Sequence, residues 1–187
     1  MQPAWANEHN IVLGQVKTEE KSNEITAIPE LIQALDIKGS TITIDAMGCQ
    51  RNIVKKITKK EGDYIIALKD NQISLHNKTK KVFDETKASE TGSSFNEEEK
   101  QAHGRSEQRE YSLLPVPGFF NEKYLWENFN SIGKVISNRL LNGNLSTETR
   151  YYITSLKDNE INKFAKGVRS HFRNRKFITL AIGYFLF

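Results

Sequence analysis

Thr41-Ile42-Thr43-Ile44-Asp45-Ala46-Met47-Gly48-Cys49-Gln50 runs without a break into Arg51-Asn52-Ile53-Val54-Lys55-Lys56-Ile57. The β-branched residues of the first four positions favour a buried strand. Small residues and a glycine then turn the chain, and Ile53, Val54 and Ile57 recur at helical spacing. The stretch therefore predicts a strand, an acid at its carboxyl end, and a helix. Side chains at the carboxyl ends of strands in an open α/β sheet leave the core but stay on rigid backbone. Asp45 is accordingly a candidate for chemistry; as an alternative, it caps the turn or starts the helix.

The same logic extends in both directions. Ala4, Trp5 and Ala6 have no polar lead-in, so the chain is expected to begin inside a strand, with a second strand at Ile11-Val12-Leu13-Gly14-Gln15-Val16. After the charged connection from Lys17 to Asn23, Thr26 is the expected N-cap of a helix. Pro29 falls in its first turn and Ile28, Leu31, Ile32 and Leu35 form its apolar face. The helix after Asp45 spans about Gln50 to Lys60, with Arg51, Lys55, Lys56, Lys59 and Lys60 largely away from the core; such a basic face is commonly just solvated. Another buried strand follows at Asp63 to Lys69, and Asp70-Asn71-Gln72 opens a helix reaching about Lys87. This order predicts a mixed α/β sheet.

From Ala88 to Lys100 the composition shifts to Ser, Thr, Gly and Glu, which predicts an unstructured loop. Beyond it, Gln108 to Leu114, Ser131 to Leu141 and Thr147 to Leu156 alternate as strands. The last two are joined through Asn142-Gly143-Asn144, a hairpin signal. Phe119, Phe120, Tyr124, Trp126 and Phe129 form an aromatic patch expected to pack rather than to stack on bases. A final helix begins near Asp158 with Ile161, Phe164 and Val168 on one face.

The chain has 187 residues, 27 of them basic and 23 acidic, for a formal charge of +4. That excess suits an anionic partner without demanding one. The single cysteine, Cys49, excludes an internal disulfide framework and a cysteine-rich zinc site, and is expected to be a small buried residue in a reducing compartment. With no membrane-span run and no signal-peptide pattern, the expected location is cytoplasmic, at the nucleoid when bound to DNA.

The segments Val12 to Lys17, Glu20 to Leu31, Thr43 to Gln50, Asp63-Tyr64 through Leu68-Lys69, His103-Gly104-Arg105 with Glu107 and Arg109, and Thr147 to Ile153 occur in one order. In them the chain resembles the DDE-type transposases of bacterial insertion sequences, in the branch that includes the H-repeat-associated proteins. The resemblance implies a ribonuclease H-like mixed sheet with flanking helices, interrupted by a β-rich insertion and incomplete at both ends. The expected divisions are a partial catalytic core over 1–87, the loop and insertion over 88–157, and the start of the last core helix over 158–172.

Two aspartates and a glutamate in that family hold two Mg2+ or Mn2+ ions, which activate the attacking oxygen and stabilise the leaving one in DNA cleavage and strand transfer. Asp45 matches the second aspartate and is the expected catalytic and metal-binding residue. The first would lie on a strand before Met1. The glutamate normally follows a motif to which Arg169-Ser170-His171-Phe172 is similar, but no acid stands at Arg173-Asn174-Arg175-Lys176. A/T-rich codons for residue 173 onward, read one base later, give Glu-Ile-Glu-Asn-Ser-Leu-His-Trp, which resembles the family's glutamate segment. Residues 173–187 are thus expected to be an out-of-frame tail, and losing the first strand is expected to leave sheet edges unpaired.

Two hypotheses follow. In one the chain is a DNA transposase acting on insertion-sequence ends, with a second copy of itself as a candidate partner and with Lys55, Lys56, Arg105, Arg109 and Arg169 near phosphate. In the other it is a non-catalytic remnant or a DNA- or subunit-binding fragment. Glu107 and Arg109 also fit an ordinary surface ion pair.

Overall fold

Alternation along Asp63–Leu68 sets the architecture. Tyr64, Ile66 and Leu68 enter one apolar cluster, Ile65 and Ala67 a second one on the opposite side, and all five are buried. A strand buried on both faces needs cover on both. The structure is a computed structural model that describes residues 2–6, 11–16, 24–86, 92–101, 105–173 and 178–181, with side chains at 28–86, 92–98 and 106–171.

The elements in chain order are β1 (Gln2–Ala6), β2 (Ile11–Val16), α1 (Glu24–Ala34), β3 (Thr41–Ile44), α2 (Arg51–Lys59), β4 (Asp63–Leu68), α3 (Ile73–Glu85), β5 (Ser93–Gln101), β6 (Arg105–Pro115), β7 (Ser131–Leu141), β8 (Asn144–Thr154), α4 (Ile161–Arg173) and β9 (Ile178–Ala181). They form one nine-stranded sheet in the order β2-β1-β9-β3-β4-β8-β7-β6-β5. The pairs β3–β4 and β1–β9 are parallel and the rest antiparallel. Helices α1, α2 and α3 cover one face through Leu31, Ile53, Ile57 and Phe83. Helix α4 covers the other through Ile161, Phe164 and Val168, the three residues expected on its apolar side.

The sheet is built around short-range signals that hold. Asn142 and Gly143 take φ of 50° and 81°, the two left-handed positions of the tight turn between β7 and β8. Ile53, Val54 and Ile57 are fully buried on α2. Phe120, Trp126 and Phe129 are core residues as expected, whereas Phe119 and Tyr124 are exposed.

Two expectations are corrected. Helix α1 begins at Glu24, so Thr26 lies within it and Pro29 in its interior rather than its first turn. Most of the stretch expected to be an unstructured loop is β5, paired residue for residue with β6 from Ser93↔Leu113 to Gln101↔Arg105. Its run of glutamates suits an edge strand, where like charge resists further pairing. The strands after it continue the same sheet through β8, which pairs with β4. On its other side β3 is paired as well. Ile178–Ala181, within the expected out-of-frame tail, pairs in parallel with Ala4, Trp5 and Ala6 and in antiparallel with Thr41, Ile42 and Thr43. The β1 ladder with β9 starts after Pro3, which has no N–H to give it. The connection from Lys17 to Asn23 lies outside the described residues.

Candidate nucleic-acid site around Asp45

Asp45 follows β3 directly, and its carboxylate accepts a 2.7 Å hydrogen bond from the Ala46 N–H, capping a short 3-10 turn over Ala46–Gly48. Both readings of the residue thus have a geometric basis, since the cap stands at the carboxyl end of a buried strand. The turn is tightly held. A Cβ at Gly48 would lie 2.3 Å from Ile44 Cγ2 and 2.9 Å from Ile28 Cδ1, so the strand and α1 close on the glycine. Asn71 Nδ2 donates to the Ala46 carbonyl at 2.5 Å, and Gln72 Nε2 to the Cys49 carbonyl at 3.0 Å. Cys49 is fully buried and burial pushes its thiol up to about 12, which leaves it unreactive at neutral pH.

Basic side chains approach the half-exposed carboxylate. Lys69, just past β4, places Nζ 3.7 Å from Asp45 Oδ1. Burial works to raise the Asp45 pKa, but the Ala46 N–H, Lys69, His171 and Arg150 outweigh it and hold the group below its ordinary value. Arg150 itself grips Glu148 through Nε and Nη2, each at 2.7 Å from Oε1. Beneath them Tyr152 is buried, and burial together with Glu148 and Asp45 raises its phenol against the opposing effect of Arg150. Lys69, Arg150 and His171 were not among the expected site residues. The signal for them was present: Lys69 and Arg150 belong to segments that carry the resemblance, and His171 to the motif similar to the one that precedes the family's glutamate.

The expected phosphate-binding residues separate. Lys55 and Lys56 are exposed on α2. The side chain of Arg105 lies outside the described residues. Arg109 is only 5% exposed: Nη2 is 2.7 Å from Glu107 Oε2 and Nη1 3.7 Å from Glu97 Oε2. Glu107 also binds Arg139 Nε at 2.7 Å, and Glu97 meets Arg169 of α4 and the Tyr111 hydroxyl. The pair read as a surface contact is therefore part of a covered network, because α4 lies over that part of β5 and β6.

A family model described as a transposase DDE domain matches residues 2–166. The chain belongs to the DDE transposase family. "Putative transposase YncI" of Escherichia coli O157:H7 is 44% identical over 176 residues, covering 91% of this chain and 45% of that protein. "H repeat-associated putative transposase YhhI" of Escherichia coli K12 is 38% identical over 173 residues, covering 90% of this chain and 46% of that protein. "H repeat-associated putative transposase YbfD" of the same strain is 44% identical over 114 residues, 61% of this chain and 45% of its own length. The chain thus spans about half the length of the curated relatives it matches. No solved structure matches it.

For a DDE transposase chain the divalent metal pair is the implied cofactor, and the described residues do not assemble a site for it. Among the described residues no group of three His, Cys, Asp or Glu side chains is placed to hold an ion. The one expected ligand, Asp45, faces an ammonium group and an amide instead of further acids. Among the described residues no helix is long and apolar enough to cross a membrane.

Proposed function

We propose that the 187-residue chain is a DNA-binding transposase-family domain that recognises insertion-sequence DNA but does not by itself cleave or join it. The observation that carries this reading is the setting of Asp45, whose carboxylate has Lys69 Nζ at 3.7 Å and is held in its charged form by Lys69, His171 and Arg150. Magnesium dehydrates reluctantly and needs several acids or phosphates, so a lone carboxylate beside fixed cations is a poor ligand set. The exposed ammonium of Lys69 suits a DNA phosphate, which it would draw to the carboxyl ends of β3 and β4. The exposed Lys55 and Lys56 on α2 extend the positive surface. DNA transposition by metal-dependent cleavage and strand transfer is then the activity of the family, and this chain supplies the DNA-contacting part of it.

The test is an end-labelled duplex incubated with the full chain and Mg2+ or Mn2+. Salt-sensitive binding with no cleaved or joined product is expected. Metal-dependent product that disappears in Asp45→Asn would overturn the reading, and so would an absence of DNA binding at low salt.

A further inference from the structure

A cleft of about 510 Å³ opens between α2 and the 116–130 segment that joins β6 to β7, lined by Arg51, Asn52, Lys55, Lys123, Tyr124 and Trp126 among others. We propose that it binds a single DNA strand, with phosphates on Arg51, Lys55 and Lys123 and one unstacked base lying on the Tyr124 ring. This rests on the DNA-binding reading and adds a second contact surface to it. Arg51 opens α2 immediately after the turn that Asp45 caps, so the cleft carries the positive surface away from the Asp45 site.

Charge points to the ligand first. All three cations are exposed, and among the described residues none of them is paired with a carboxylate. The cleft also carries one acid, Glu127, which accepts the Thr58 hydroxyl at 2.5 Å and keeps its charge, so three cations against one acid leave the lining net positive. Lys60, from the same run of basic residues, is held elsewhere, donating to the carbonyls of Ile32, Gln33 and Leu35 at the end of α1. Arg51 and Lys55 stand one helical turn apart, about 6 Å along the axis, a separation that backbone phosphates of one strand can match.

The aromatic geometry then selects a single strand. Phe120, Trp126 and Phe129 are almost completely buried, yet Tyr124 between them is 86% exposed. It is not on a loose loop. Glu122 binds Lys78 of α3 at 2.6 Å, and the Tyr64 hydroxyl donates to the Glu127 carbonyl at 3.1 Å. Asn128 turns the chain with φ of 53°. A ring held out by a fixed frame loses little entropy on stacking, and only an unpaired base offers it a free face. An acidic peptide would meet the cations but leave the ring unused.

Fluorescence anisotropy of the full chain with labelled oligothymidylate, and with a duplex of equal length, decides the matter. Tyr124→Ala is expected to weaken oligothymidylate about tenfold and the duplex hardly at all, with Tyr124→Phe retaining both. Replacing Arg51, Lys55 and Lys123 together by Gln is expected to flatten the log–log salt dependence for the single strand by about 2. Unchanged thermal melting of these surface variants checks their folding. The cleft proposal is overturned if Tyr124→Ala changes neither probe or both equally, or if polyglutamate displaces the oligonucleotide as well as unlabelled oligothymidylate does. Wild-type chain that binds no DNA at all overturns the proposed function as well; wild-type binding with unaltered variants overturns the cleft alone.

Discussion

The ring of Phe164 on α4 occupies the space that a side chain at Gly133 of β7 would need: a Cβ there would lie 2.4 Å from Cζ and 2.8 Å from Cε2. Farther along the helix, a Cβ at Gly167 would lie 2.6 Å from Ile65 Cδ1, so small residues on both sides let α4 sit close to the sheet. Gly133→Ala is therefore expected to destabilise the chain by about 1–3 kcal/mol, the usual cost of overfilling a packed core. Phe164→Leu in the same chain should recover part of that loss. Chemical denaturation of the single and double variants measures it, and additive effects would contradict the contact.

Glu107 holds two guanidinium groups, from Arg109 and Arg139, in a place almost closed to water. Removing one partner of a covered ion pair leaves the other charge uncompensated. Glu107→Ala should cost about 3–5 kcal/mol, well above the 1 kcal/mol typical of a surface pair. A loss below about 1 kcal/mol in urea unfolding would return this contact to the surface class.

Asp45 gives a pH signature. Its folded pKa lies below the ordinary value of 3.8. A depressed carboxylate adds stability that is complete above the unfolded pKa and lost as pH falls through the folded one. The difference in melting temperature between wild type and Asp45→Asn should therefore stay constant from neutral pH down to about 5 and shrink below about 4. Because the side chain is half exposed, the effect should stay under about 1 kcal/mol and fall with added salt. A difference that grows toward acid pH would reverse the assigned sign.

β9 separates β1 from β3, strands that would otherwise stand about 10 Å apart, two strand spacings. A chain ending at Arg173 should expose unpaired backbone on both and associate, as measured by light scattering. Leu180→Pro is a subtler variant. Leu180 pairs with Ala6 on one side and Ile42 on the other, and proline removes the N–H. A truncated chain that stays monomeric with an unaltered melt would show that β9 carries no structural weight.

Local pattern was enough wherever the deciding interaction is local. β-branched alternation placed β3 and β4, the 3.6-residue period placed the buried faces of α2 and α4, and Asn142-Gly143 placed a hairpin, because each depends on the residue's own backbone preference and nearest neighbours. The sequence also singled out Asp45, since a carboxylate directly after a buried strand is visible in one dimension.

What only the tertiary structure decided depends on partners distant in the chain. The glutamate-rich residues after Gly92 carry no strand pattern of their own, and become β5 because β6 offers a complete ladder at its edge. Arg109 looked like a phosphate contact until α4 covered it and Glu97 and Glu107 neutralised it. Lys69 follows β4, Arg150 is on β8 and His171 on α4, and only sheet pairing and the packing of α4 bring them around Asp45. Tyr124 is exposed while Trp126 is buried for the same reason: the frame that fixes them is made by Tyr64, Lys78 and Thr58, far away in sequence. Burial and electrostatic potential are sums over neighbours in space, and those neighbours exist only once the chain has folded.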